Sequence, residues 1–308
     1  MIAHSPQTSV SPQRILLVRL SHLGDVCHAL PVFHALRAEF PGAEIAWVIQ
    51  PEFAPLIESL PGLDRVFHFA RQGGWRAWPR LHKELTAWSP DLTVDAMGNW
   101  KSAAVTWCSR AERRLGWHRK DWREPSASRV LTHHAPAAAG MHALEKTLHL
   151  ARWVAPSQVR QRWDLPLNAR ELSQGRDWLH SMLPDRGRPR RILHLAAPGD
   201  PRSLPASSYA FLAKGLTGAE VDWIMISGPA EADLGRSLEL AFPAKAGQAH
   251  LVGQRGLRQL AGLLAAAGEE QVRVLCCDSG PCHVAAAVGA AVDLVSGPQD
   301  PDLSLIHI

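Results

Sequence analysis

The sequence predicts an α/β fold with parallel sheets, divided into two domains. Three observations carry this. At 308 residues the chain exceeds one ordinary core and suits two domains of about 150 residues each. Short apolar runs alternate with helical patterns along its length, as βα repetition requires. A Pro-containing stretch without long periodicity, from Ala155-Pro156 to Leu165-Pro166-Leu167, separates two sets of such runs.

In the first set, Arg14–Leu20, Glu44–Ile49, Arg65–Phe69 and Leu92–Asp95 read as strands. Pro31 sits inside an apolar helical pattern (Val26, Ala29, Leu30, Phe33, Leu36). Proline costs about 3 kcal/mol in a helix interior but fits a first turn. Gly24–Leu30 is therefore expected to be a loop and short turn, with the main helix over Pro31–Phe40. In the second set, Arg191–Leu195, Val221–Ile226, Val272–Cys277 and Val292–Val295 read as strands. Asn168 with Glu171 three positions on forms a capping box for a helix through Met182. The boundary falls near residues 155–168, giving domains 1–160 and 161–308.

Hydrophobic residues make up 46% and charged residues 20%, which excludes a disordered chain. The polar segment Met1–Gln13 lacks the basic and apolar regions of a secretory signal. The most apolar stretch, Val284–Val295, is shorter than the roughly 20 residues a bilayer needs. A cytoplasmic protein is expected. Five cysteines without a C-x-x-C pair read as reduced thiols, several buried in strands, and sixteen histidines form no H-E-x-x-H helix. No protein-held metal is expected.

Net charge is only +4, yet Arg65 to Arg123 holds twelve Lys or Arg against five Asp or Glu. Trp75, Trp78, Trp100, Trp107, Trp117 and Trp122 are interleaved. Such a stretch suits phosphate-bearing partners at a membrane surface, or nucleic acid. It equally describes a solvated face with ordinary core tryptophans.

Three constellations could carry chemistry. Leu20-Ser21-His22-Leu23-Gly24-Asp25 follows the first strand. Its single glycine does not make a dinucleotide fingerprint. Asp25 lies where open α/β sheets bind ligands, as either a cap for the next turn or a general base. Cys277-Asp278-Ser279-Gly280-Pro281-Cys282-His283 joins a strand to a helical run. It would present backbone N–H groups and a positive dipole end to a diphosphate, or simply cap a helix. Ala197-Pro198-Gly199-Asp200-Pro201-Arg202-Ser203-Leu204-Pro205 follows another strand, with Arg202 either pairing a phosphate or lying on the surface.

Together these resemble the heptosyltransferase family, which transfers heptose from a nucleotide donor during lipopolysaccharide core assembly. Its S-x-x-G-D-V, L-P and F-P pattern is matched by Ser21, Gly24, Asp25, Val26, Leu30, Pro31, Phe40 and Pro41. Its D-[ST]-G-P-x-H and A-A-x-G signature is matched by Asp278, Ser279, Gly280, Pro281, His283, Ala286, Ala287 and Gly289. Its G-P-x-D-P is matched by Gly297, Pro298, Asp300 and Pro301. The stretch Arg114 to Trp117 and His142 with its following helix also fit, so the resemblance runs from Arg14 to Pro301.

The resemblance implies a GT-B architecture: two Rossmann-like domains facing across a cleft, the first for acceptor and the second for donor. It implies an inverting, metal-independent transfer from ADP-heptose, with Asp25 as base. Arg202 stands in place of a phosphate-binding lysine, Glu231 meets the ribose, and Ser279 and Gly280 meet the diphosphate. Asp278 and His283 lie at the sugar or phosphates, and Arg71, Arg76, Arg80 and Arg123 near phosphorylated core sugars. It further implies no cofactor beyond the nucleotide-sugar donor, and a phosphorylated glycolipid acceptor at the inner face of the inner membrane. A monomer without nucleic-acid partners is expected. Ala197 and Pro198 depart from relatives with hydroxyl side chains there, which puts nucleotide preference in question. The chain stops just after the G-P-x-D-P match where the family continues, so a foreign tail after Pro301 and a missing C-terminus are expected. The rivals are a nucleotide-sugar epimerase of similar shape and an inactive nucleotide- or RNA-binding relative.

Overall fold

A computed structural model describes residues 11–70, 77–138, 140–158, 162–196, 203–254 and 256–295. The chain divides into two units, Met1–Asp164 and Leu165–Ile308.

The first unit runs β1 (Arg14–Val18), α1 (Leu23–Glu39), β2 (Glu44–Ile49), α2 (Ala54–Ile57), β3 (Arg65–His68), α3 (Ala77–Trp88) and β4 (Leu92–Asp95), then α4 (Trp100–Cys108), β5 (Arg113–Gly116), two 3-10 turns, β6 (His133–His134) and α5 (Ala143–Val154). Its strands pair in parallel in the order β3-β2-β1-β4-β5-β6. Leu16, Val18 and Leu20 join Ala46, Val48 and Phe67 in a core with Leu81, Leu85 and Val105. Ile15 and Leu17, on the alternate positions, are also fully buried. A parallel sheet covered on both faces demands such continuous apolar strands.

α1 corrects the expectation of a loop before Pro31: it is continuous from Leu23, with Pro31 inside. The lost hydrogen bond and ring clash cost about 3 kcal/mol. Against that, Val26, Ala29, Leu30, Val32, Phe33 and Leu36 are buried almost completely, and packing rather than propensity sets helix stability in proteins. The ring of Phe33 lies 6.0 Å from that of Trp47 on β2.

The second unit runs α6 (Ala169–Met182), β7 (Arg190–His194), α7 (Ala206–Gly218), β8 (Asp222–Ile226), α8 (Ala232–Ala241), β9 (Gln248–Leu251), α9 (Leu257–Glu269), β10 (Arg273–Cys276), α10 (Gly280–Ala287) and β11 (Val292–Leu294). The parallel order is β11-β10-β7-β8-β9. The expected capping box opens α6: Asn168 Oδ1 accepts from the Glu171 N–H and Glu171 Oε2 from the Asn168 N–H, both at 2.9 Å. Of the buried cysteines only Cys276 lies in a strand; Cys27 and Cys282 lie in helices and Cys277 just beyond β10. Both sheets change direction of winding beside their first strand, between β1 and β4 and between β7 and β10. Those are the switch points at which such sheets leave a crevice at their carboxyl ends. Among the described residues no helix is long and apolar enough to cross a membrane.

Candidate active site

At the first switch point, Arg19 leaves the end of β1 and is only 8% exposed. Its backbone is held by β2: the N–H donates to the Val48 carbonyl at 3.3 Å, and its own carbonyl accepts from the Trp47 indole at 3.1 Å. One terminal guanidinium nitrogen donates to the Ala96 carbonyl at 2.5 Å. The other lies 2.6 Å from Asp25 Oδ1. Asp25 Oδ2 accepts from the His22 N–H at 3.2 Å, at the start of α1. Asp25 is thus a helix cap through one oxygen and an ion-pair partner through the other. Its side chain remains 38% exposed.

Burial pushes the Asp25 carboxyl up, but the Arg19 charge, the His22 N–H and the nearby His28 together hold it below the usual carboxylate range. It is therefore ionised at neutral pH, at a helix N-terminus that favours negative charge.

The Ala96 carbonyl is itself positioned by a second carboxylate. Asp95 ends β4, is fully buried, and accepts from the Met97 and Gly98 N–H groups at 2.9 Å each and from Thr106 Oγ1 at 3.1 Å. Burial raises its pKa despite those donors. The turn needs Gly98, whose φ is +72°, and a Cβ there would meet the Trp117 ring at 3.1 Å.

At the second switch point, Ser279 N-caps α10 in extended geometry without a side-chain cap hydrogen bond, and Pro281 occupies the first turn. The Ser279 hydroxyl instead lies 3.5 Å from His194 Nδ1, at the end of β7. Desolvation lowers the His194 pKa to about 4, so it is neutral. Asp278 Oδ1 lies 3.2 Å from His283 Nε2, both side chains largely buried. The Tyr209 hydroxyl accepts from the Ala196 N–H at 3.0 Å. Burial raises that phenol to about 12. Glu231 precedes α8, at the end of the turn after β8.

The second unit therefore gathers Asp278, Ser279, Gly280 and His283 at one turn, while Glu231 belongs to the β8–α8 turn. Of the basic residues expected near an acceptor, Arg80 sits on α3 and pairs with Glu84 at 2.8 Å. It lines a groove of about 900 Å³ beside edge strand β3, with Arg14 and Arg65. Arg123 lies 3.7 Å from Glu124. Both side chains are 86% exposed, and neither pairs with Asp25. Arg71, Arg76, Ala197, Pro198, Arg202, Gly297, Pro298, Asp300 and Pro301 lie outside the described residues. Trp75 lies outside the described residues, and the other interleaved tryptophans do not share one surface: Trp122 is buried, Trp78 and Trp117 are partly so, and Trp100 and Trp107 are exposed. Among the described residues no group of three His, Cys, Asp or Glu could hold a metal ion.

Sequence reasoning did not single out Arg19, Asp95, His194 or Tyr209. The usable signal for the first three was position: each sits at the carboxyl end of a strand bordering a switch point.

The profile of glycosyltransferase family 9 (heptosyltransferase) matches residues 78–302. Lipopolysaccharide heptosyltransferase 1 of Pseudomonas aeruginosa is 36% identical over 146 residues, a match covering 44% of this chain and 41% of that protein. Lipopolysaccharide heptosyltransferase 1 of Escherichia coli K12 is 27% identical over 308 residues, covering 94% of this chain and 89% of that one. Among solved structures, E. coli heptosyltransferase WaaC with ADP superposes with a TM-score of 0.73 at 26% identity, over 94% of this chain and 88% of that one.

Proposed function

The chain belongs to glycosyltransferase family 9, the heptosyltransferases, and on that premise we propose that it transfers heptose from ADP-heptose to a lipopolysaccharide inner-core acceptor with inversion. Its fold is the GT-B class, two parallel-sheet α/β units. The first unit takes the acceptor and the second the donor. Asp25 accepts the proton of the acceptor hydroxyl as that oxygen bonds to the anomeric carbon. The bond from that carbon to the ADP phosphate oxygen breaks in the same displacement, and ADP leaves with the electron pair. A single in-line displacement inverts the anomeric centre. The start of α10, with Ser279 and Gly280 N–H groups, and Arg202 stabilise the charge growing on ADP, and no metal ion is required. Asp278 and His283 orient the donor, and Glu231 binds its ribose. Arg71, Arg76, Arg80 and Arg123 attract the phosphorylated acceptor, which is borne on the cytoplasmic face of the inner membrane.

The observation that carries this reading is the Asp25 carboxylate: ionised, about one-third exposed and held at the switch point by Arg19. The ADP seen with the E. coli relative supports the choice of nucleotide. The test is transfer by the purified chain from ADP-heptose to heptose-free core acceptor, with and without EDTA, alongside thermal shifts with ADP, UDP, GDP and NAD. Selective stabilisation by ADP and EDTA-insensitive transfer are expected. Isomerised free nucleotide-sugar without transfer, or a rate lost to EDTA and restored by magnesium, would overturn it.

A further inference from the structure

α4 exposes two tryptophans that its own fold does not use. Trp100 and Trp107 are 57% and 64% exposed. Seven residues are close to two helical turns, so the two indoles fall within about 20° of one face and roughly 10 Å apart along the axis. The opposite face, Ser102, Ala103, Val105 and Thr106, is buried. Exposed indoles at this spacing form an apolar patch that needs an explanation.

The surroundings are cationic. Lys101 and Arg110 are exposed on and just beyond α4, and the Arg114 guanidinium stands 5.7 Å from the centre of the Trp107 ring. A shallow cavity of about 890 Å³ continues from Trp107 over His82 and Trp78 of α3. From Gly98 to Val130 eight Lys or Arg face only Glu112, Asp121 and Glu124. Of these, Glu124 is engaged, accepting from the Trp100 N–H at 3.2 Å, and Asp121 accepts from the Ala138 N–H at 2.9 Å.

We propose that the α4 face of Trp100 and Trp107, with its Lys101–Arg110–Arg114 rim, docks the protein onto an anionic phospholipid bilayer. Indoles settle at the level of lipid headgroups, where one edge is apolar and the other wet. Lys and Arg beside them are drawn to anionic headgroups, an attraction that extends about one Debye length. The helix that carries the patch is linked to the candidate base through the turn before it. α4 starts from the same Asp95–Asn99 turn whose Ala96 carbonyl holds Arg19, and Arg19 holds Asp25. Docking through α4 would bring the unit that carries Asp25 to the surface on which a lipid-borne hydroxyl is presented. This rests on the reading of the acceptor as membrane-borne.

The test is co-sedimentation of the whole chain with phosphatidylcholine vesicles, with and without phosphatidylglycerol. Binding is expected only with phosphatidylglycerol, and it should weaken as salt rises. Trp100→Ser with Trp107→Ser should weaken it about ten- to hundredfold by removing the buried indole area. Lys101→Ser and Arg110→Ser should each weaken it about fivefold. Circular-dichroism melts of the variants establish that they fold. Sedimentation of the double-Trp variant equal to wild type, absent binding to anionic vesicles, or a wild-type dimer that the double-Trp change dissociates would each overturn the proposal. Transfer to a water-soluble, lipid-free core acceptor separates the two readings. If docking fails while such transfer persists, only the membrane face is wrong. If vesicle binding holds while no transfer occurs, the proposed reaction is wrong.

Discussion

Arg19 binds Asp25 and the Ala96 carbonyl at once, at 2.6 Å and 2.5 Å, and so ties α1 to the β4–α4 turn across the first switch point. The guanidinium keeps the carboxylate ionised and aims it, at a cost in basicity. Arg19→Met should therefore raise the Asp25 pKa, because burial then acts without its main opposing charge. The acid limb of kcat/KM against pH should move to higher pH, and the rate at neutral pH should fall about tenfold or more through lost orientation. Arg19→Lys should restore much of both. An acid limb unmoved in Arg19→Met would mean the limb belongs to another group.

Asp25→Asn separates the base from the cap. Asparagine keeps an oxygen to accept from the His22 N–H but leaves the buried Arg19 charge without its carboxylate, so stability should fall by about 3 kcal/mol. Loss of the basic oxygen should reduce kcat about 10²–10⁴-fold, while ADP affinity should stay unchanged, because the role proposed for Asp25 is toward the acceptor. Near-normal turnover would remove Asp25 as base.

His194 should make the second unit acid-sensitive in a defined window. Its pKa is about 4 in the fold against 6.5 unfolded. Between those values the unfolded chain binds a proton that the folded chain does not. Stability is therefore lost as pH falls from about 6.5 towards 4. His194→Gln should flatten that part of the stability–pH curve. Asp95 acts in the opposite sense, since burial raises its folded pKa: stability falls as pH rises from 3.8 through that raised value, and Asp95→Asn removes this loss. Urea melts across pH for both variants check the signs.

These groups also mark where the sequence was legible. The β1 and β2 runs read as strands because four and five apolar residues follow one another there, the pattern of a strand covered on both faces, and Asn168–Glu171 and Ser279–Pro281 carry helix-start chemistry on their face. β5 (Arg113–Gly116) was hidden because its first two residues are arginines in a basic stretch, and β9 (Gln248–Leu251) because it has no β-branched or aromatic residue. Pro31 misled because its local cost is visible in sequence while the burial that overcomes it is not. Arg19 and His194 were invisible as site residues for a related reason. Their partners Ala96 and Ser279 lie 77 and 85 positions away, joined only by the crossovers of a parallel sheet.

The α6–α9 contact depends on two glycines. A Cβ on Gly175 would come within 2.1 Å of the Gly262 carbonyl oxygen, whereas one on Gly215 in α7 would meet nothing within 4 Å. Gly175→Ala should force the helices apart and cost about 1–3 kcal/mol or more. Gly215→Ala should instead stabilise by about 0.5–1 kcal/mol, because alanine loses less backbone entropy in a helix. Equal melting temperatures for the two variants would contradict this packing.

Gly228 and Glu231 provide a test of the ribose role proposed for Glu231 that does not depend on removing its carboxylate. A Cβ on Gly228 would stand 2.7 Å from Glu231 Oε2, so the Glu231 side chain is folded back over the turn after β8. The clash involves the far end of a flexible side chain. Gly228→Ala should therefore leave the melt nearly unchanged while swinging the carboxylate out of its place. If Glu231 accepts hydrogen bonds from the ribose hydroxyls, both Gly228→Ala and Glu231→Gln should weaken ADP binding about tenfold, the lower end expected for a partly exposed charged hydrogen bond. The double variant should be no weaker than either single one, since both changes remove the same interaction. Calorimetric titration of ADP into the four proteins reads this directly. Additive losses would show that Gly228 acts on the nucleotide by another route, and unchanged affinity in Glu231→Gln would remove Glu231 from the donor site.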